Sequence, residues 1–384
     1  MIKKIVLTIL CLPILAAIAL FVTGNSYIFT AIERTYLQGN TTANINDYPA
    51  FKTHEISTSV TDELPKSSNY NKHSLDQELL DAANQYGTAA YLVIKDGEVL
   101  SEHYFNGYNK RSKTNSFSMA KTVLTLLISI AIEEGYIQSL EQKLTDFLPE
   151  FTNDPLASNA TVGQLSLMNS GYEWTEHYYS PFSPTVELLY GHDVEEFLLN
   201  GDFSAEPGSY FEYSSASTQL LGIVLKRALE GKGNQQTISE FLSEKIWQPL
   251  QMNDNGLWHT DDSGLELVFC CINTNARNFA KLGMLMLNKG QWGSQQLISA
   301  DYIEKMVTPA AAPHYGYSTW LNTTDLPSYY WFSGHLGQYI IVIPEHNMVV
   351  VRLGESRHES LPFREHQLPM LINQALKLAD IPTN

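Results

Sequence analysis

The chain has 384 residues, of which 44% are hydrophobic and 17% are charged, and this balance excludes a disordered or fibrous protein. Its formal net charge is −17 and its basic residues form no strong cluster, so nucleic acid is not an expected partner. The length allows about two or three domains, or one domain with a large insertion.

The first 24 residues are predicted to be a targeting segment. Two lysines precede an uncharged apolar run over residues 5–22, which is near the lower length limit for a membrane-spanning helix. Positive charges on that side predict that the rest of the chain crosses the membrane, so we expect an extracytoplasmic protein, periplasmic or attached to the inner membrane through 5–22. The Ala-Ile-Ala at 17–19 resembles a signal-peptidase site, but the apolar run continues to Val22. A cleaved signal peptide and an uncleaved anchor therefore both remain open.

The elements that follow place strands early in the main domain. Residues 25–74 are polar and mixed, and are interpreted as a stem or an extended wrapping segment. A helical pattern over 75–85 precedes two apolar runs that flank Asp96-Gly97, a strong hairpin signal. A helix is predicted from about Ser118 to Gly135, and loops mixed with helices follow to about residue 290.

The chain then returns to strands. The pattern predicts four strands, with a turn at 344–347 between the last two: Tyr315–Trp320, Tyr329–Phe332, Tyr339–Ile343 and Met348–Leu353. A closing helix is expected over Met370–Leu378, with Pro369 at its start. This order indicates an α+β domain over 75–384. Its antiparallel sheet would come from 88–106 and 314–354, flanked by helices, with a mainly helical subdomain over about 137–290.

The cysteines and histidines predict no metal or disulfide framework. Cys270 and Cys271 are adjacent, and since a disulfide between neighbours is strained, free thiols in a buried strand or helix are expected. His192, His259 and His314 lack metal-ligand spacing and are interpreted as surface or pocket residues. Neither a metal nor an organic cofactor is expected.

Ser118 and Lys121 open a run, from Met119 to Ile132, that is apolar on nearly every side. Such a helix is normally buried in the centre of a domain. A hydroxyl and an amine three residues apart lie on one helix face, about one turn from each other. This places a nucleophile beside a possible base at a helix N-terminus, where backbone N–H groups favour negative charge. The alternative is a serine near a helix start and a lysine reaching for solvent.

Two further motifs have possible roles in the same chemistry. Tyr213, after a Pro-Gly turn and just before a predicted helix, could shuttle a proton if nearby cationic charge lowers its pKa. Gly334-His335-Leu336-Gly337-Gln338 leads into a predicted strand, where glycines permit close approach and a backbone N–H could bind an oxyanion. The alternatives are an aromatic core residue and a glycine-rich turn. The loop 167–174 could line a pocket but by itself is interpreted as structural.

In this order the motifs resemble the penicillin-recognising serine hydrolases, the family of serine β-lactamases and D,D-peptidases. The resemblance runs from about Tyr91 to Gly354 and implies a β-lactamase/transpeptidase-like fold. There is no Gly-x-Ser-x-Gly elbow and no His-Glu-x-x-His zinc helix.

The resemblance implies a role for each matching position. Ser118 would be the nucleophile, Lys121 the base whose pKa burial should lower, and Tyr213 the proton donor to the leaving group. The backbone N–H groups of Ser118 and Gln338 would form the oxyanion hole. The remaining substrate-binding positions are His335, Gly337 and Ser215.

Two departures bear on the substrate. His335 stands where the family often has lysine, and Ser215 where it often has asparagine, and both changes weaken the case for a potent β-lactamase. They resemble the 6-aminohexanoate-dimer hydrolase and esterase branch, which implies a small ester or amide substrate cleaved through an acyl-enzyme. The alternatives are a cell-wall D,D-peptidase, a weak β-lactamase, or a membrane-tethered penicillin-binding sensor without turnover.

Overall fold

The computed structural model describes residues 13–324, 327–357 and 363–382, apart from the side chains of 363–366. Residues 13–22 are helical, and the subsequent α-helices are Tyr27–Arg34, Gln77–Gln85, Met119–Glu133, Val162–Ser166, Pro184–Tyr190, Val194–Leu199, Ser215–Gly231, Ile238–Leu242, Ala276–Leu287, Ala300–Met306 and Phe363–Leu378. The strands are β1 Lys52–Ile56, β2 Thr88–Lys95, β3 Glu98–Tyr104, β4 Thr114–Asn115, β5 Gly256–Thr260, β6 Ile272–Thr274, β7 Gln291–Trp292, β8 Gln295–Gln296, β9 Trp320–Asn322, β10 Tyr329–Gly334, β11 Gln338–Ile343 and β12 Met348–Gly354.

The main sheet joins the two ends of the domain, as the sequence predicts. Its six strands run in the order β3-β2-β12-β11-β10-β9, and every neighbouring pair is antiparallel. Asp96 (φ 52°) and Gly97 (φ 84°) form the two-residue turn of the β2–β3 hairpin, since both residues adopt the left-handed backbone that such a turn needs. The α+β, β-lactamase/transpeptidase-like fold is therefore confirmed.

Helices cover both faces of this sheet, so its central strands are buried on both sides. Along β2, Leu92 and Ile94 pack into the larger core cluster, while Tyr91 and Val93 point to the opposite cluster, because successive strand residues face opposite ways. The opposite cluster is closed by the C-terminal helix, and Tyr91 donates to the carbonyl of Leu371 there (2.8 Å). The larger cluster contains the helix Met119–Glu133, called the central helix below.

Three predicted elements need correction. A second sheet, β1-β5-β6-β4, takes β5 and β6 from within the segment expected to be mainly helical. The segment expected to be a strand over Tyr315–Trp320 is mostly a turn, closed by a bond from Gly316 N–H to the Thr319 carbonyl, and only its last residue enters β9. The C-terminal helix begins before Pro369, which lies inside it, because apolar side chains on both sides of the proline are buried under the sheet.

Residues 25–74, which were expected to be a stem or a wrapping segment, lie against the rest of the protein. Its strand β1 pairs with β5, and Ile45, Ile56 and Leu64 are buried in the larger core cluster. Residues 1–12 of the predicted targeting segment lie outside the described residues. Within residues 13–324, 327–357 and 363–382, no helix is both long and apolar enough to cross a membrane.

Candidate active site

Ser118 lies at the N-terminus of the central helix, in a tightly held turn. The preceding residue, Phe117, has a left-handed backbone (φ 45°), and its N–H donates to the side chain of Asn115 (2.8 Å). Ser116 N–H donates to the carbonyl of Ile272 (2.8 Å), whose own N–H donates back to Ser116 Oγ (3.0 Å). The strained turn is therefore fixed by its neighbours, which is a common property of residues that position a reactive side chain.

Lys121 lies one helical turn further on and points at Ser118. Its Nζ donates to Ser118 Oγ (3.3 Å), to Ser215 Oγ (3.1 Å) and to the carbonyl of Phe269 (2.8 Å). Burial lowers the pKa of Lys121 to about 8, partly offset by the negative charge of Glu176. The expected lowering of this pKa is therefore confirmed, and a usable fraction of the amine is neutral near pH 7–8.

Tyr213 joins the same group from the segment that leads into the helix Ser215–Gly231. Its hydroxyl is hydrogen-bonded to Ser118, and Lys121 Nζ lies 5.1 Å from its ring centre. The lowered pKa that was set as a condition for proton shuttling is not found, because burial and the negative charge of Glu176 raise the pKa of Tyr213 well above its usual range. The phenol is thus held protonated at physiological pH.

Glu176 is a member of this group that sequence reasoning missed. Its carboxylate accepts from Ser215 twice, through the backbone N–H (2.9 Å) and through Oγ (2.7 Å). It also accepts from Trp174 Nε1 (2.6 Å) and Tyr178 OH (2.7 Å). Ser215 therefore bridges the carboxylate and the Lys121 amine. The only signal in the sequence was an acidic residue in an aromatic loop, and such residues are common.

The glycine-rich motif lies beside Ser118, as a short turn between β10 and β11. A Cβ on Gly334 would collide with the carbonyl oxygen of Ser116, so a glycine is needed where this strand approaches the nucleophile turn. Gly337 has φ 83°, and a Cβ there would lie 2.5 Å from Arg352 Nη1. The buried Arg352 donates to the carbonyls of Leu336 (2.9 Å) and Gly337 (2.8 Å), which holds the turn in place.

His335 and Gln338 occupy different sides of that turn. His335 faces the cavity beside Ser118, with its ring against Phe117 (5.6 Å) and Tyr178 (5.0 Å). Burial lowers the pKa of His335 to about 4, so the ring is neutral at physiological pH. The side chain of Gln338 instead donates to the Gly354 carbonyl (2.7 Å) and accepts from the Gly354 N–H (3.0 Å). The oxyanion role of its backbone N–H stays a prediction.

A cavity of about 220 Å³ opens beside Ser118, and its wall is mostly apolar and aromatic. The lining comes from four stretches and from His335 and Ser215: residues 31–43, 117–118, 178–190 and 269–271. The contribution of the N-terminal stretch was not anticipated from the sequence. The loop 167–174 does not line the cavity; Met168 accepts the N–H of Glu212 (2.8 Å) and so supports the segment that carries Tyr213.

The cavity wall includes a disulfide between Cys270 and Cys271. The expectation of free thiols in a strand or helix is therefore wrong. Cys271 adopts a left-handed backbone (φ 77°) in a turn before β6, and this geometry brings the adjacent side chains together, whereas a regular strand would point them apart. The turn is braced by Trp258, whose indole N–H donates to the carbonyl of Cys270 (2.7 Å).

Alkylation followed by peptide mapping should reveal this bond. In the denatured but unreduced chain, iodoacetamide is expected to leave Cys270 and Cys271 unlabelled, and their peptide should be lighter by two hydrogen atoms than the dithiol form. Treatment with a reductant before alkylation should then label both residues. Labelling of either cysteine without reductant would contradict the disulfide.

The histidines bring one further correction. His259, expected at the surface or in a pocket, is completely buried and stacked on Phe51 (ring centres 4.2 Å apart), and burial lowers its pKa to about 3. His192 is exposed and contacts Asp262. In the described part of the chain, no cluster of three or more His, Cys, Asp or Glu residues could hold a metal ion.

Known protein sequences match this chain over much of its length. The beta-lactamase family model matches residues 76–368. A 6-aminohexanoate-dimer hydrolase from Paenarthrobacter ureafaciens is 25% identical over 233 residues, and the match covers 57% of each chain. Protein flp of Staphylococcus aureus strain MW2 is 24% identical over 174 residues, 43% of this chain and 33% of flp. The chain thus spans little more than half the length of the first of these relatives and a third of the second.

Solved structures match the fold of this chain over a larger share of its length than the sequence relatives do. A Bacillus anthracis protein, provisionally named a 6-aminohexanoate-dimer hydrolase, superposes with a TM-score of 0.76 at 22% identity over 88% of this chain and 94% of its own. A family VIII carboxylesterase has a TM-score of 0.59 at 16% identity, with coverage of 80% and 99%. Since the family model covers more than half of the sequence, the chain belongs to the beta-lactamase family.

Proposed function

We propose that this protein is a serine hydrolase that cleaves ester or amide bonds through an acyl-enzyme on Ser118. The observation that carries the proposal is the position of the Lys121 amine. It is buried and within hydrogen-bond distance of Ser118 Oγ, and desolvation has lowered its pKa towards neutrality. A hydroxyl becomes a useful nucleophile when such a base lies beside it.

The described groups suffice for both halves of the reaction. Neutral Lys121 takes the Ser118 proton as Oγ attacks the carbonyl carbon, and the tetrahedral oxyanion forms near the N-terminus of the central helix. The protonated Tyr213 then donates to the leaving alcohol or amine, and the proton that Lys121 took from Ser118 passes on to the tyrosinate, which restores both groups. Water repeats the sequence on the acyl-enzyme, which releases the acid and restores Ser118.

Intact-mass analysis of full-length protein, after brief exposure to p-nitrophenyl acetate and separately to a penicillin, tests this proposal. We expect a transient acetyl group on Ser118 that turns over, little penicillin adduct, and no adduct in a Ser118→Ala variant that melts at the native temperature. A long-lived penicillin adduct would favour the alternative of a D,D-peptidase or a sensor. Ester turnover that survives in Ser118→Ala would contradict the mechanism.

The pH profile is a second expected result. Because burial lowers the pKa of Lys121 to about 8, kcat/KM for a p-nitrophenyl ester should rise with pH and level off above about pH 8. At pH 7 roughly a tenth of the amine would be neutral. A profile measured from about pH 6 to 9.5 checks this, with correction for spontaneous hydrolysis. An activity that is flat over this range, or that still rises steeply above pH 9.5, would argue against Lys121 as the base.

We also propose that the body of the protein lies outside the cytoplasm. Residues 5–22 would either anchor it to the membrane or be removed as part of a signal peptide. The apolar run after two lysines supports this location. The Cys270–Cys271 disulfide supports it independently, because disulfides persist in oxidising compartments.

A further inference from the structure

The cavity beside Ser118 has a wall without ionised side chains. Among the described residues that line it there is no aspartate, glutamate, lysine or arginine, and the one titratable imidazole, His335, is neutral at physiological pH because burial lowers its pKa. Arg357, whose positive charge acts on His335, hydrogen-bonds Tyr339 and is not part of the wall. Lys121 and Glu176 lie behind the wall, both hydrogen-bonded to Ser215, and are not among the lining residues. A charged group placed in this cavity would therefore lose its hydration without an ion partner on the wall.

The inner side of the cavity is an apolar surface that includes a disulfide. Phe269, Cys270 and Cys271 follow one another along it, and each cysteine is no more than 4% exposed. The disulfide leaves no thiol to donate a hydrogen bond. The same turn presents the Phe269 carbonyl to the Lys121 amine, so the base and this apolar surface belong to one short segment.

The outer side of the cavity is supplied by the N-terminal stretch 31–43, which the family match does not cover. This stretch is held at both ends. Its first residues belong to the helix Tyr27–Arg34, which packs on the helix Pro184–Tyr190, and Arg34 lies over the ring of Phe51 (4.7 Å). After it, the Ile45 carbonyl accepts the N–H of Asn115 (2.9 Å), three residues before Ser118.

We propose that this cavity is an acyl pocket for an uncharged, apolar acyl group. Residues 31–43 form its outer wall, and the Cys270–Cys271 disulfide forms part of its inner wall. This proposal rests on the proposed function and names its substrate class: esters of hydrophobic acids. Zwitterionic aminoalkanoyl groups and carboxylate-bearing β-lactams would be poor substrates. The N-terminal segment is then part of the specificity pocket, in addition to any role in membrane attachment.

Two series of p-nitrophenyl esters test the pocket in full-length protein. From acetate to octanoate, kcat/KM should rise by about fourfold for each added methylene that is buried, the ratio that corresponds to ~0.8 kcal/mol. The 6-aminohexanoate ester should be slower than the hexanoate ester by about 100-fold or more, because the ammonium has no partner in the cavity. Equal rates for these two esters would overturn the proposal.

Variants in the N-terminal stretch test the outer wall. Thr42 lines the cavity, so Thr42→Trp should lower the octanoate-to-acetate ratio of kcat/KM by at least about tenfold by filling it. Asn40→Trp, two residues earlier and outside the lining, is the matched control and should keep the native ratio. Melting temperatures of both variants exclude misfolding.

The outcomes separate the two proposals. An unchanged ratio in a folded Thr42→Trp variant, or no chain-length preference in the native protein, would overturn the pocket while leaving the Ser118 mechanism in place. Absence of ester turnover and of any acyl group on Ser118 would instead contradict the proposed function, and the acyl pocket with it.

Discussion

Replacing Lys121 by methionine is expected to lower kcat/KM for a p-nitrophenyl ester by about a thousandfold or more. Methionine fills similar space without the amine, so Ser118 loses the group that takes its proton. The substitution also removes the amine that donates hydrogen bonds to Ser215 Oγ and to the Phe269 carbonyl. Steady-state rates, together with the rate of acylation followed by mass, would locate the loss in the formation of the acyl-enzyme.

Lys281→Met is the matched control for this experiment. Lys281 is also buried, burial also lowers its pKa to about 8, and its amine donates to three backbone carbonyls, but it does not line the cavity. Its replacement should reduce the melting temperature while leaving kcat/KM near native at a temperature where the variant is folded. If Lys121→Met retained more than about a tenth of native activity, Lys121 would not be the base.

Glu176→Ala is expected to have the next largest effect. It removes the acceptor of four hydrogen bonds from Ser215, Trp174 and Tyr178. Each bond contributes about 1 kcal/mol, and the partial exposure of the carboxylate reduces this contribution. The free energy of unfolding should therefore fall by roughly 2–4 kcal/mol. Since Ser215 and Tyr178 line the cavity, kcat/KM should fall by about 10- to 100-fold. Thermal melts and ester kinetics measure the two effects.

The milder substitution Glu176→Gln tests whether the negative charge of Glu176 acts on the Lys121 amine or whether the side chain only stabilises the fold. The negative charge of Glu176 raises the pKa of Lys121, so its removal should lower that pKa further and shift the rise of the pH–rate profile to lower pH. Glu173→Gln, an exposed carboxylate three residues earlier, is the matched control and should leave the profile in place. A profile that does not move in Glu176→Gln would mean that the carboxylate acts on the fold alone.

Much of the site was visible in the sequence because its parts are local. Ser118 and Lys121 are one helical turn apart, so their proximity follows from a helix that the apolar run already predicted. The hairpin at Asp96-Gly97 was equally predictable, since the backbone preference of two residues decides it. Tyr213 and the turn at His335 could be placed only through their resemblance to a family, because nothing local ties them to Ser118.

The sequence by itself determined the helix that carries the nucleophile, the strands at both ends of the domain and the family resemblance of three spaced motifs. The tertiary structure alone decided that Glu176 reaches Ser215, that residues 31–43 form a wall of the cavity, and that Cys270 and Cys271 are joined. The first group depends on side-chain periodicity and on turn preferences within a few residues. The second depends on backbone conformation at single positions and on contacts between distant segments, and these leave no periodic pattern in the chain.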